Sequence, residues 1–198
     1  MRREPFISSE LEAAGGAAQV LRRLFFALWP DGEQLQQLQV ALAPRMAQVS
    51  GNVVLPDDLH LTLHFAGNAN LETLEQLMSF CGGVLARSFE VKLAPLELWR
   101  SSHALVLAAT GTPPSPALAL QARLASEAGR LGLLGPQPTQ PWRAHVTLAR
   151  QVAAVPDPLE PLPEPLVWKV RRFCLAESVL SQPAGVPRYR VLGRWALI

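Results

Sequence analysis

The chain reads as an α+β protein carried on two mainly antiparallel sheets, one short motif on each. Two observations predict this. First, His60-Leu61-Thr62-Leu63 recurs as His145-Val146-Thr147-Leu148, and in both copies polar and apolar residues alternate with the period of two that marks a half-buried strand. Second, the order of predicted elements is strand, helix, strand, helix, strand, strand, helix, strand, strand, strand. Neither half alternates strictly enough for a doubly wound parallel sheet.

Leu24 to Trp29 is a compact apolar run closed by Pro30-Asp31-Gly32, which predicts a buried strand followed by a helix start. Leu35, Leu38, Leu42 and Met46 recur at spacings of three and four, giving a helix with an apolar face down to about Val49. Ser50-Gly51-Asn52 reads as its stop. The first motif strand covers about Leu59 to Ala66 and ends at Gly67-Asn68. Asn70 caps a second helix to about Leu85, with Leu71, Leu74, Leu77, Met78 and Cys81 as its buried stripe. Strands follow at Phe89 to Leu98 and Ala104 to Ala109. Thr112-Pro113-Pro114-Ser115-Pro116 opens a third helix to about Leu131, since proline is tolerated in a first turn. A Gly/Pro/Gln-rich loop over 132–141 leads to the second motif strand, about Arg143 to Gln151. Five prolines in the eleven residues 155–165 predict an extended connector. Two last strands are expected, Leu166 to Leu180, with room for a bulge, and Tyr189 to Leu197.

A length of 198 residues suits one domain, here 21–198, preceded by a loose extension over 1–20 containing Ser8-Ser9 and Gly15-Gly16. With 49% apolar and 17% charged residues, a buried core is expected. A net charge of +2 is too small to argue for non-specific nucleic-acid binding, so any anion site must be built locally. Cys81 and Cys174 have neither disulfide nor metal spacing, which suits a reduced, cytoplasmic protein. No apolar run approaches the roughly 20 residues of a membrane helix, and Glu4, Glu10 and Glu12 interrupt any signal-peptide core.

On a strand, residues i and i+2 share a face. His60 and Thr62 therefore project together, as do His145 and Thr147, while Leu61/Leu63 and Val146/Leu148 anchor the opposite face. Two imidazoles suit general acid–base chemistry near neutral pH: one accepts a proton while the other donates one. Phosphoester cleavage by water needs both operations, and hydroxyls beside the imidazoles can donate to non-bridging phosphate oxygens. No carboxylate cluster accompanies the motifs, so neither metal nor cofactor is expected.

The paired motifs resemble those of the two-histidine phosphoesterases, and among them the RNA 2′,3′-cyclic phosphodiesterases of the LigT type. The flanks agree. Arg23-Leu24-Phe25-Phe26-Ala27-Leu28 resembles the family's first strand, and Asp58 to Gly67 its first motif strand. His145 to Arg150 resembles the second motif with its trailing arginine, and Phe173 to Ser178, Tyr189 and Arg194 to Leu197 resemble the last strands. The resemblance covers about Leu21 to Ile198. It implies a bilobal fold with a central groove, a pseudo-two-fold relation and helices on the outer faces. It also implies an enzyme acting on RNA ends or cyclic nucleotides that carry a 2′,3′-cyclic phosphate, which it opens to a 2′-phosphate, with a 2′–5′ RNA ligase side activity allowed; separately, a monomer is expected. Residue by residue, it implies that His60 donates a proton to the departing 3′-oxygen and His145 takes one from water. Thr62, Thr147 and Arg150 would hold the phosphate. Strict alternation places Arg150 on the face opposite His145, so a bulge, or a long side chain curling over the strand end, is needed to bring it round. The family has proline before the second histidine where this chain has Ala144, preceded by Trp142-Arg143, and Arg143 is a candidate for the RNA-facing rim.

Other residues carry plainer readings. His64 shares the His60 face by alternation and is expected in a supporting role, and His103 at a solvated hairpin tip. Phe25, Phe26, Trp29, Trp168 and Trp195 are expected in the core. Trp142 and Phe65 are candidates for base stacking. Arg171-Arg172 reads as a solvated strand end. Two alternatives stand beside the enzyme: an RNA-end-binding module without catalysis, and a zinc hydrolase using His60, His64 and His145. The zinc reading is disfavoured because His60 and His64 would lie about 13 Å apart along a strand.

Overall fold

The computed structural model describes residues 20–133, 135, 141–155, 159–179 and 181–198. The extension expected over 1–20, but for its last residue, falls outside the described residues, as do 156–158 of the proline-rich connector and most of 134–140 in the preceding loop.

The strands are β1 (Arg22–Leu28), β2 (Ser50–Val53), β3 (Leu61–Ala69), β4 (Phe89–Trp99), β5 (Ala104–Ala109), β6 (His145–Ala154), β7 (Leu166–Val170), β8 (Arg172–Ser178) and β9 (Tyr189–Ala196), and the helices are α1 (Gly32–Met46), α2 (Leu71–Gly82) and α3 (Ser115–Arg130). The two expected sheets are present as two halves of one hydrogen-bonded sheet, ordered β7-β4-β5-β6-β3-β1-β8-β9 with β2 added along β6. Every pairing is antiparallel. The halves meet where the two motif strands lie side by side, at the single registered pair Leu61↔Val146 between β3 and β6.

One face of the sheet carries all three helices. Leu38 and Leu42 of α1, Leu74, Leu77 and Cys81 of α2, and Leu120 and Leu124 of α3 join Leu61, Leu63, Val146 and Leu148 of the motif strands in one buried cluster. Among the described residues the other face is bare of helix. It holds two small clusters, Phe25, Ala27 and Ala176 in one half and Ala104, Val106 and Ala108 in the other. Four of these six residues are alanines, whose short side chains leave a groove above them.

Helix starts follow the expected caps. Asp31 accepts from Gln34 N at 2.9 Å while Gln34 reaches back to Asp31 N, and Asn70 accepts from Thr73 N at 2.8 Å. Helix α1 ends at Met46, three residues before the expected Val49 and two residues after Pro44 within it.

Three expectations need correction. Ser50-Gly51-Asn52 is not merely a helix stop: it begins strand β2, which lies so close over β6 that a Cβ at Gly51 would meet the Arg150 carbonyl oxygen at 2.9 Å. The first motif strand does not end at Gly67; with φ at 105°, Gly67 sits beside a bulge and the strand runs to Ala69. The stretch expected as one strand from Leu166 is two, β7 and β8, separated at Arg171. β7 pairs with β4 in one half and β8 with β1 and β9 in the other, so the sheet curls until its two ends adjoin. A hydrophobic run reads the same on either side of such a crossing.

Candidate active site

The pair Leu61↔Val146 sets the geometry of the seam. In antiparallel alignment it puts Thr147 opposite His60 and His145 opposite Thr62, all on the face away from the helices. The two histidines are diagonal neighbours, with Cα atoms on the order of 7–8 Å apart. Burial follows the same alternation: Leu61, Leu63, Val146 and Leu148 are buried, while His60, Thr62, His145 and Thr147 are half-buried at the groove.

Each imidazole is fixed in the same way. His60 Nδ1 lies 2.7 Å from the Asp58 carbonyl oxygen, and His145 Nδ1 lies 2.8 Å from the Arg143 carbonyl oxygen. A carbonyl oxygen only accepts, so in both rings Nδ1 carries the hydrogen and Nε2 is left to exchange a proton with a ligand. Aromatic rings hold the other surfaces. Trp29 stacks on His60 at 4.8 Å between centroids, with Tyr189 edge-on at 4.8 Å and Phe25 at 5.1 Å. Trp99 lies 4.3 Å from the His145 ring. Both tryptophans are tethered, Trp29 Nε1 to the Asp57 carbonyl at 2.9 Å and Trp99 Nε1 to Glu97 at 3.0 Å.

Arg150 joins this face through a bulge. Leu105 pairs with Ala149 but Val106 pairs with Thr147, so the extra residue Leu148 puts Leu148 and Ala149 both on the core side and returns Arg150 to the groove. Arg150 donates to the Tyr189 hydroxyl at 3.4 Å. Gln151, next along, has φ of 53°, a conformation uncommon for a non-glycine residue, and accepts from Asn52 Nδ2.

The first motif strand bulges at the equivalent place. Ala27 pairs with Thr62 but Phe26 pairs with His64, so Leu63 and His64 both turn to the core side and Phe65 returns to the groove. This corrects the expectation that His64 shares the His60 face, and His64 cannot join His60 and His145 around one ion. Among the described residues no three His, Cys, Asp or Glu side chains cluster as a metal set. Phe65 occupies the place corresponding to Arg150.

Asp58, Tyr189, Trp29 and Trp99 were not singled out from sequence as site residues. The Asp58 carboxylate is buried and accepts from Arg188 N at 2.8 and 3.1 Å and from Tyr189 N at 3.2 Å. One residue thus holds the His60 ring by its carbonyl and the strand bearing Tyr189 by its side chain. The available signal was position: Asp58 precedes His60 by two residues as Arg143 precedes His145. Trp29, expected in the core, instead walls the groove. Trp142 donates from Nε1 to the Thr62 carbonyl at 2.9 Å and packs on the core, so it is a prop for β3. Arg143 is engaged by Glu97 at 2.5 and 2.7 Å. Phe65 stacks on Phe25 at 5.8 Å and has the Arg23 guanidinium 4.7 Å from its ring. These contacts occupy three side chains considered for RNA. A cavity of about 580 Å³ opens beside Arg150 and Tyr189, between β2 and residues 182–189.

Burial sets the charge state. Desolvation lowers His60 to about 4, and the charges of Arg150 and His145 push the same way against the Asp58 carbonyl bond. His145 is lowered first by desolvation, then by Arg143 and Arg150, with its carbonyl bond and Glu97 opposing. Arg150 acts on both rings, which places its charge between the motifs. Two neutral imidazoles facing a guanidinium and two hydroxyls make a cavity short of one negative charge.

Known proteins match this arrangement. The profile of the 2′-5′ RNA ligase superfamily fits residues 26–181. The chain is 32% identical over 179 residues to the RNA 2′,3′-cyclic phosphodiesterase of Escherichia coli (strain K12), covering 89% of this chain and 97% of that one. The fold superimposes on the crystal structure of E. coli LigT complexed with 3′-AMP with a TM-score of 0.78 and 30% identity, over 90% of this chain and 99% of the other. TT0787 of Thermus thermophilus is similar at a TM-score of 0.67 and 26% identity, over 88% of this chain and 97% of its own. With the match running through both motif strands and across most of the chain, the protein belongs to the 2′-5′ RNA ligase superfamily.

Proposed function

We propose that this protein hydrolyses the 2′,3′-cyclic phosphodiester at RNA ends, or in cyclic nucleotides, to a 2′-phosphomonoester, as a monomer in the cytoplasm and without a metal. The observation that carries the reading is the matched pair of imidazoles on adjacent strands, each with Nδ1 held by a carbonyl two residues upstream, which leaves both Nε2 atoms for a ligand. The named activity of the E. coli relative supports the same chemistry. Two buried cysteines without a disulfide suit a reducing compartment.

In this mechanism His145 Nε2 accepts a proton from water as the water oxygen attacks phosphorus. The bond from phosphorus to the 3′-oxygen breaks, and His60 Nε2 donates its proton to that oxygen. Thr62 and Thr147 donate hydroxyl hydrogens to the non-bridging oxygens, and the Arg150 fork offsets the charge gathering there. The proton on His60 arrives with the substrate. In the free protein both rings are neutral at pH 7, and the cyclic phosphate monoanion raises the affinity of a ring for a proton most where water is scarcest, which is at His60. A 2′–5′ ligase side activity uses the same displacement with the 5′-hydroxyl of a second RNA in place of water: that oxygen bonds to phosphorus and gives its proton to His145, and the 3′-oxygen leaves with the proton of His60.

Replacing either His60 or His145 by Ala is expected to lower hydrolysis of a 2′,3′-cyclic nucleotide by about a hundredfold or more, with the fold intact by circular dichroism and the rate unaffected by excess chelator. Identification of the product places the phosphate on the 2′-hydroxyl. Full activity in either variant sinks the mechanism. Tight binding of a phosphorylated RNA end with no product at all favours the non-catalytic RNA-end-binding module.

A further inference from the structure

A second cavity adjoins the groove on the far side of Trp29. It has a volume of about 350 Å³, and ten residues line it, among them Trp29, Lys169, Arg171, Arg172, Cys174 and Arg194. Four of the ten lining side chains are cationic and one, Asp31, is acidic, in a protein whose net charge is only +2. Among the described residues none of the four has a carboxylate within ion-pair distance. The carboxylate of Asp31, the acidic lining residue, accepts from Gln34 N at 2.9 Å.

Strand register ties this cavity to the catalytic groove. Thr62 pairs with Ala27, Ala27 with Cys174, and Cys174 with Arg194, so one row of residues crosses β3, β1, β8 and β9 on a single face. Arg172 lies two residues before Cys174 and shares that face. At about 4.8 Å per strand, the Arg194 backbone is roughly 14 Å from that of Thr62. The two residues between are Ala and Cys, too short to block the passage. The Trp29 ring, stacked on His60, is the shared wall.

We infer that this cavity is a phosphate subsite for single-stranded RNA, seating a phosphodiester of the chain 5′ to the cyclic end. The inference rests on the reaction proposed above and extends it: the preferred substrate is an oligonucleotide, and Arg172 and Arg194 distinguish it from a cyclic mononucleotide. Guanidinium forks suit a diester anion, and a flat floor of small side chains lets a chain pass from the imidazoles to the arginines. Two arginines at strand ends, plain surface residues in the sequence, acquire this role because the curled sheet turns them toward the groove.

The test compares 2′,3′-cyclic AMP with a ribotrinucleotide ending in a 2′,3′-cyclic phosphate, using the full chain and the double variant Arg172→Gln/Arg194→Gln. The expected result is a KM for the trinucleotide raised about tenfold with kcat unchanged, since removing a charge-assisted hydrogen bond carries about that factor. Kinetics on cyclic AMP stay within about twofold. The dependence of log KM on log salt for the trinucleotide becomes shallower by about 0.7 for each phosphate no longer neutralised. Equal effects on both substrates, or none on either, overturn the subsite. Anisotropy of a labelled trinucleotide with a 3′-phosphate reads binding without turnover. If the native protein turns over neither substrate, the reaction fails as proposed; weakened binding by the double variant then still supports the subsite, and unchanged binding overturns it.

Discussion

His60 and His145 carry the same anchor and different surroundings. His60 is enclosed by Trp29, Phe25 and Tyr189, whereas His145 has one neighbouring ring, Trp99. Both are lowered from their ordinary value, His60 to about 4. The profile of kcat/KM against pH reports the free protein, in which one proton must be shared between two reluctant rings. Its optimum therefore lies below about pH 6.5, the ordinary histidine value. The bound phosphate anion raises both values, so the optimum of kcat lies at higher pH than that of kcat/KM. Arg150→Gln removes a positive charge that opposes protonation of each ring, so it moves the kcat/KM profile to higher pH. The same change is expected to lower kcat about a hundredfold, the proposed contact of the guanidinium with the phosphate being lost. A profile in Arg150→Gln that keeps its position, measured over roughly pH 4 to 9, argues against that charge reaching both rings. The motif residues themselves were legible in sequence because HxTx is a local pattern. The tryptophans were not, since stacking partners come from β1 and β4, distant in the chain.

Among the elements, the two motif strands share one irregularity, an extra residue at the fourth motif position. It is why Arg150 faces the groove and His64 does not. Strict alternation reads the first three motif residues correctly and fails at the bulge, because a bulge is set by the partner strand and leaves no mark in composition. The turn over Pro56–Asp58 does a second job. By accepting from Arg188 N and Tyr189 N, Asp58 ties the entry of β3 to the start of β9. Asp58→Ala leaves those two partly buried N–H groups without their acceptor and is expected to cost about 1–3 kcal/mol. A fall in the urea midpoint with unchanged slope measures it. Activity falls as well, because Tyr189 is no longer pressed against His60. A native midpoint in this variant rules out the clamp.

In the whole molecule, the halves are bound by more than the seam. Helix α1 follows β1 in one half but packs on β7 in the other, where Gln34 donates to the Lys169 carbonyl at 2.9 Å. Helix α3 follows β5 but packs on β3. Each half thus contributes a helix to its neighbour, and the single core cluster draws on both. Unfolding is expected as one transition, with tryptophan fluorescence and far-ultraviolet circular dichroism giving the same midpoint. Two resolved midpoints would contradict this interlocking.

The amino-acid order alone specified the α+β class, the helices with their caps and the polar–apolar alternation of both motifs, because these depend on neighbours within a turn or a few residues. It pointed to two imidazoles and two hydroxyls and to the family they resemble. The joining of two sheets into one, the split at Arg171 and the bulges arose only on folding. So did the enclosure that makes His60 hard to protonate and the cationic cavity beside Trp29. Each of these depends on which strand lies against which, and hydrogen-bond register between distant segments is settled by packing a shared core.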